Sequence, residues 1–284
     1  MIRPSGKYIR KRRKPPRSRF RHGFFFFALM AALVLFAIFP DWKIPVSHDP
    51  YPVGALEIPR VSAPEFVIVC PEGRYTLLYD TLYRQPAWVA YTLTRGDVEN
   101  RNATRRNRFT VCPAVQARRW PAAEEKDYRG SGYDRGHLVP SADRLGNQVE
   151  NDATFRMSNI APQANRLNLE PWNHLEIEIR RMAQRFDTLW IATGGVLKPG
   201  LRRIGRNGIG VPEHFYKVVL ARRNGRYQSI GFLLPNSAEV SRSFWGYAVP
   251  VDSVRNITGI DFYPHLQVGP ENRIGAECRP QDWK

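Results

Sequence analysis

From residue 65 onward the chain alternates short apolar runs with polar breaks, and the runs follow two different periods. FVIVC (66–70), YTLLYD (75–80) and WVAYTL (88–93) are rich in β-branched and aromatic residues and are bounded by turn formers, which predicts three strands. LWIATGG (189–195), HFYKVVLA (214–221) and YQSIGFLL (227–234) predict three more. Asn224-Gly225 between the last two is a hairpin signal, because both central positions of a tight two-residue turn need positive φ. Between the strand groups the period lengthens. Leu175, Ile179, Met182 and Phe186 fall at i, i+4, i+7 and i+11, one apolar stripe on a helix over 170–186. Thr94 to Thr110 is polar, rich in arginine, and reads as a loop. Strand groups on either side of a helix, without strict alternation, predict an α+β domain over 65–284.

The start of the chain follows a different pattern. Residues 1–22 hold ten Lys and Arg and no acid, and lead into GFFFFALMAALVLFAIFP, Gly23 to Pro40, whose 18 positions carry no charge. At about 1.5 Å per residue a helix of that length reaches roughly 27 Å, close to the hydrocarbon thickness of a bilayer. The pattern predicts a single-pass signal anchor over 23–40, with residues 1–22 cytoplasmic and the rest on the outer side. A cleaved signal peptide and an organellar transit sequence share the Arg-rich, acid-free start, but no A-x-A site follows Phe39 before the folded part. The outer side is the periplasm in a bacterium, with the mitochondrial intermembrane space as the alternative. Pro40, Pro45, Pro50, Pro52, Pro59 and Pro64 make 41–64 an extended tether. Cys70, Cys112 and Cys278 all follow the span, so an oxidising compartment allows one disulfide, in any of three pairings. The sequence holds no CxxC or Cys/His cluster of the kind that binds zinc.

Charge changes this picture little. The chain carries +17, yet setting aside the first 22 residues leaves 33 basic and 26 acidic residues, or +7. The globular part is moderately basic, which is compatible with a polyanionic partner without requiring one.

The candidate chemistry begins at GYDRGHLVP, Gly132 to Pro140, where Asp134, Arg135, Gly136 and His137 are consecutive. A histidine beside an arginine suits a general base with a cation to hold a phosphate, although a surface ion pair and a structural histidine are the commoner uses of such residues. A second stretch, SNIAPQANRLNLEPWNHLE, Ser158 to Glu176, strengthens the chemical reading. Asparagine has no acid-base function, so Asn159, Asn165 and Asn168 point either to caps and turns or to an amide oxygen ligating a metal. Asn168, Trp172 and Glu176 are spaced by four and share one helix face. Pro171 belongs in a first helical turn, which puts Asn168 at or just before the helix start, an N-cap position.

DRGH followed by SN-x-x-PQ-x-x-x-x-N-x-x-x-W-x-x-x-E resembles the DNA/RNA non-specific endonuclease family, the ββα-metal (His-Me finger) nucleases. PAWVAYTL ending at Leu93, VPEHFYKVV (211–219), LLPN (233–236) and FYPHL (262–266) extend the resemblance over about residues 65–266. It implies a central, mainly antiparallel sheet flanked by helices, and a Mg²⁺-dependent endonuclease, with Mn²⁺ able to substitute, that hydrolyses DNA and RNA without sequence preference. His137 would be the general base and Asn168 the one direct protein ligand of the metal. Glu176 would orient the metal's water shell, and Arg135 would contact the phosphate. Asn159 would support the site from behind, with Asp134 orienting a neighbouring group. The family also uses an arginine ahead of DRGH, and NATRRNRFTVCP (102–113) offers Arg105 and Arg106 as the better candidates beside Arg108. Such enzymes often form homodimers, an assembly the resemblance offers here too. A single neutral amide ligand fits Mg²⁺, which keeps several waters and leaves its charge for the phosphate.

Other residues get a plainer reading: His174 as a surface group beside the site, His214 and His265 as structural or solvated. Two other functions use the same features. A non-catalytic, membrane-tethered nucleic-acid receptor needs only the basic surface, and a phosphodiesterase for a different substrate needs the same metal site.

Overall fold

The computed structural model describes residues 55–60, 62–267, 269 and 274–284. The expected cytoplasmic segment 1–22, the span 23–40 and the tether as far as residue 54 lie outside the described residues. Among the described residues no helix is long and apolar enough to cross a membrane.

In chain order the elements are β1 (Val67–Cys70), β2 (Tyr75–Asp80), β3 (Gln85–Leu93), α1 (Arg95–Glu99), α2 (Pro113–Ala117), β4 (Tyr133–His137), α3 (Gln148–Ala153) and β5 (Ile160–Ala164). They continue as α4 (Asn173–Arg185), β6 (Thr188–Gly195), β7 (Arg203–Ile204), β8 (Ile209–Gly210), β9 (His214–Arg223), β10 (Arg226–Pro235), β11 (Ala248–Val249) and α5 (Val251–Thr258). Seven strands form one sheet in the order β1-β2-β3-β6-β9-β10-β11, each neighbour antiparallel. The six strands expected from the apolar runs are its main body, and the architecture is α+β.

β9 and β10 meet through Asn224 and Gly225 at φ 52° and 77°, the left-handed pair that the hairpin requires. Their near-continuous apolar runs follow from burial on both faces. One face packs Val89, Tyr91, Ile191, Phe215, Val219 and Phe232 against Trp172, Leu175, Ile179 and Met182 of the helical segment. On the other, Tyr216 meets Phe262 edge-on and the Tyr263 hydroxyl donates to the Trp190 carbonyl.

Three local expectations change. Thr94–Thr110 is not loop throughout: Thr94 caps α1 in a reciprocal box with Asp97, so the polar residues that suggested a loop are the start signal of a short helix. The packed unit also reaches into the stretch read as tether, since Ile58 is buried and Arg60 pairs with Asp261 at 2.9 Å. Cys70, Cys112 and Cys278 are free thiols, so none of the three disulfide pairings is made.

Candidate active site

β4 and β5 form a separate antiparallel hairpin, and the chain leaving β5 turns into the helical segment, giving a ββα unit that rests on the large sheet. Its register sets Asp134 opposite Gln163 and His137 opposite Ile160. Gly136 is demanded by this packing: a Cβ there would lie 2.1 Å from the Gln163 side-chain oxygen. Beyond β5, a single α-turn (Asn165–Leu167) leads into a wide π-turn (Asn168–Trp172) and then α4. Asn168 has helical dihedrals, φ −60° and ψ −46°, so it lies inside the helical segment and is not an N-cap. The wide turn absorbs Pro171, which lacks an N–H and would clash in a regular α interior.

Two Asn side chains converge on Asp134. Asn168 Nδ2 donates to Asp134 Oδ2 at 3.0 Å and Asn165 Nδ2 to the same oxygen at 3.1 Å. A carboxylate oxygen accepts and an amide nitrogen donates, so this bond fixes which way the Asn168 amide points and leaves its Oδ1 free of Asp134. Asp134 is thus placed to orient Asn168.

The backbone after His137 is held by groups from three elements. Trp172 Nε1 donates to the His137 carbonyl at 3.4 Å, and the Leu138 N–H donates to the Asn159 carbonyl at 3.0 Å. The Asn159 side chain accepts from the Val139 N–H at 2.9 Å and donates to the Val139 carbonyl at 3.0 Å. Lys217, from β9, donates to the Leu138 carbonyl at 3.2 Å. Asn159 is fully buried and makes these bonds from behind the strand end that carries His137. Asn236 of the LLPN segment ties β5 to the sheet, accepting from the Ala164 N–H at 2.7 Å and donating to the Pro162 and Pro212 carbonyls.

His137 is buried at 8% exposure, with Phe155 edge-on at 4.8 Å and Phe109 at 5.7 Å. Its pKa is lowered to about 3, first by burial and then by the charges of Arg105 and Arg135. The imidazole is therefore neutral at pH 7, the form that accepts a proton. Arg135 lies over the Phe109 ring at 4.5 Å and pairs with Glu125.

A pocket of about 260 Å³ brings the pieces together. Arg105, Arg135, His137, Asn168, Glu176 and Arg180 line it. Burial raises the Glu176 carboxyl to about 7, against the opposing pull of Lys217, Arg180 and Arg105. Arg180 is held by Asp143 at 2.9 Å. The two candidate arginines separate here. Arg105 faces the pocket, its guanidinium 5.2 Å from the Phe155 ring centre, whereas Arg106 pairs with Asp152 at 3.3 Å and does not line the pocket. Of the two, the structure brings only Arg105 to the pocket, and Arg106 turns to its partner on α3. His174 is half-buried near the Arg242 carbonyl and His265 is exposed, both outside the pocket lining.

Among the described residues no group of three or more His, Cys, Asp or Glu side chains is arranged to hold a metal. The donor set that exists, one oriented amide oxygen beside a carboxylate, matches a cation that keeps most of its water, as Mg²⁺ does.

Residues 69–268 match the DNA/RNA non-specific endonuclease family. The chain belongs to that family. It is similar to human mitochondrial endonuclease G, with 30% identity over 226 residues that span 74% of either chain. A mitochondrial nuclease of Schizosaccharomyces pombe, nuclease 1, is 30% identical over 221 residues, covering 72% of this chain and 68% of the relative. Among solved structures, EndoG in the EndoG/EndoGI complex superimposes with a TM-score of 0.69 at 28% identity, covering 77% of this chain and 94% of that one. The protein is a nuclease, an enzyme that hydrolyses nucleic acid, in a family of metal-dependent enzymes.

In this DNA/RNA non-specific endonuclease, three residues at the site escaped the sequence reading. Arg180 lies four residues beyond Glu176 and so shares its helix face, a spacing that was available to find it. Asp143 and Lys217 come from elsewhere in the chain, and no local pattern ties either to the site.

Proposed function

We propose that the chain is a Mg²⁺-dependent, sequence-non-specific endonuclease of DNA and RNA, with His137 as general base and Asn168 as metal ligand. The observation that carries this is the convergence of a neutral buried histidine, the Asn168 amide oriented by Asp134, Glu176 and three arginines on one pocket. A bound Mg²⁺ supplies positive charge to the phosphate oxygens and a shell of ordered water.

The chain's own residues do the rest. His137 takes the proton of the attacking water, its neutral form secured by burial and by the neighbouring cations. Glu176 accepts hydrogen bonds from water held at the site and orients it. Arg105 and Arg135 balance the charge that grows on the phosphate, with Arg135 exchanging Glu125 for the substrate. None of these contacts involves a base edge, so cleavage is independent of sequence.

Residues 1–22 and 23–40 are proposed as a cytoplasmic segment and a membrane anchor, on their charge and apolar pattern alone, with the nuclease domain on the outer side. The names of the mitochondrial relatives favour the intermembrane space over a periplasm. A homodimer is the proposed assembly by analogy with the family.

The test is incubation of the full chain with supercoiled plasmid and with RNA, in Mg²⁺ or EDTA. Cleavage of both substrates in Mg²⁺ only, leaving 5′-phosphates, is expected. Binding without cleavage in any divalent ion would overturn the proposal in favour of a tethered receptor.

A further inference from the structure

Lys217 is completely buried in the middle of β9, at 0% exposure. Strand alternation turns it to the same face as Phe215 and Val219, the face that packs against the ββα unit. Those two neighbours are apolar, as packing alone would ask of position 217. Burying an ammonium costs free energy, and a buried ion pair is often no more stabilising than apolar residues of similar volume, so the lysine calls for a reason other than stability.

What surrounds the ammonium supplies one. It donates to the Leu138 carbonyl at 3.2 Å and lies 4.8 Å from the Trp172 ring centre and 6.0 Å from that of Tyr91. Its electrostatic neighbours are Glu176 from α4, Asp143 from the turn after β4, and Arg180. Asp143 is itself occupied, by Arg180 and by the Tyr91 hydroxyl at 3.1 Å. That leaves Glu176 as the acid most in need of the lysine's charge. Arg105 and Arg180 line the same pocket as Glu176, and their charges together with that of Lys217 favour its anion.

We propose that Lys217 is a positioning residue of this nuclease: from beneath the site it fixes the strand end that carries His137 and holds Glu176 as an anion. The proposal rests on the roles given above to His137 and Glu176. Burial and electrostatics agree with it, since burial drives both partners toward neutrality while each charge opposes that drive in the other.

The test compares the parent, Lys217→Met, Glu176→Gln and the double variant in Mg²⁺-dependent cleavage of an oligonucleotide. Lys217→Met leaves Glu176 without its buried partner and should lower the thermal midpoint, so the rate is read per folded molecule below that midpoint: KM should stay within about twofold while kcat falls about 10- to 100-fold. Loss of the cation raises the Glu176 pKa, so the acidic limb of the kcat profile should move up by about one pH unit or more. On the Glu176→Gln background, Lys217→Met should cost much less than in the parent. A parent-like kcat and pH profile in Lys217→Met, with Glu176→Gln slow, would overturn the Lys217 proposal alone. Full activity in Glu176→Gln would instead overturn the site reading beneath it. A second measurement needs no change at Lys217: an NMR titration of its Cε in the parent and in Glu176→Gln. Removing the carboxylate should lower the lysine pKa, and identical titrations would contradict the coupling.

Discussion

Lys217 and Val218 are adjacent on β9 and face opposite sides of the same sheet. Beneath the ββα unit, the Lys217 side holds buried or half-buried charge: Lys217, Glu176, Asp143, Arg180 and, farther along, Arg144. The Val218 side, under α5 and the 260–263 segment, is closed by Tyr216, Phe262 and Tyr263. The alternation that lets a strand bury both faces also lets it serve two ends: the Val218 face is closed by apolar and aromatic side chains, whereas the Lys217 face sets a cluster of charge into the main apolar core and aims the chemistry. Substitutions on the two faces should therefore separate activity from stability.

The largest effects belong on the charged face. Asn168→Ala removes the amide that Asp134 orients in the pocket and should lower the cleavage rate on the order of 10²- to 10³-fold, with higher Mg²⁺ restoring part of it. Asp134→Ala leaves Asn168 free to rotate and should cost about 10- to 100-fold, again partly recovered by Mg²⁺ titration. Arg105→Ala should slow cleavage about 100-fold, whereas Arg106→Ala, which breaks an exposed pair with Asp152, should stay within about twofold of the parent. Equal losses from the two arginines would undo the assignment.

The apolar face should behave in the opposite way. Phe262→Ala empties a buried site against Tyr216 and should lower unfolding free energy by about 3–5 kcal/mol, with the rate per folded molecule unchanged. Denaturant unfolding beside single-turnover cleavage would expose any leakage between the faces. A further effect concerns pH. His137 has a folded pKa of about 3 against 6.5 for the free group, so its contribution is complete above pH 6.5 and is lost as pH falls toward 3. Unfolding free energy should decline over that range by at most about 1.4 kcal/mol per pH unit from this group, and His137→Ala should flatten the decline.

Much of this was legible before the fold was known, and for physical reasons. Short β-branched and aromatic runs between turn formers named the six main strands, because a sheet buried on both faces needs them, and a period near 3.6 named α4, which buries one stripe. Asn224-Gly225 was readable because few dipeptides accept two positive φ angles. His137, Asn168 and Glu176 were readable because they fall in one spaced motif. What escaped was whatever depends on long-range packing. Lys217 sits in HFYKVVLA like a polar interruption, and only the third dimension places the Leu138 carbonyl above it. Asn168 was expected at a cap because Pro171 seemed to forbid helix upstream, and the π-turn that removes the conflict has no mark in the sequence. Arg105 and Arg106 are chemically equal neighbours until Asp152 claims one of them.

The most direct test of the account is His137→Ala, measured in the same preparation for Mg²⁺-dependent cleavage of plasmid and RNA and for thermal unfolding. The account predicts a rate lower by about 10² to 10⁴ or more, with nucleic-acid binding retained and the unfolding midpoint near that of the parent. A variant that folds, binds and still cuts within tenfold of the parent rate would contradict it.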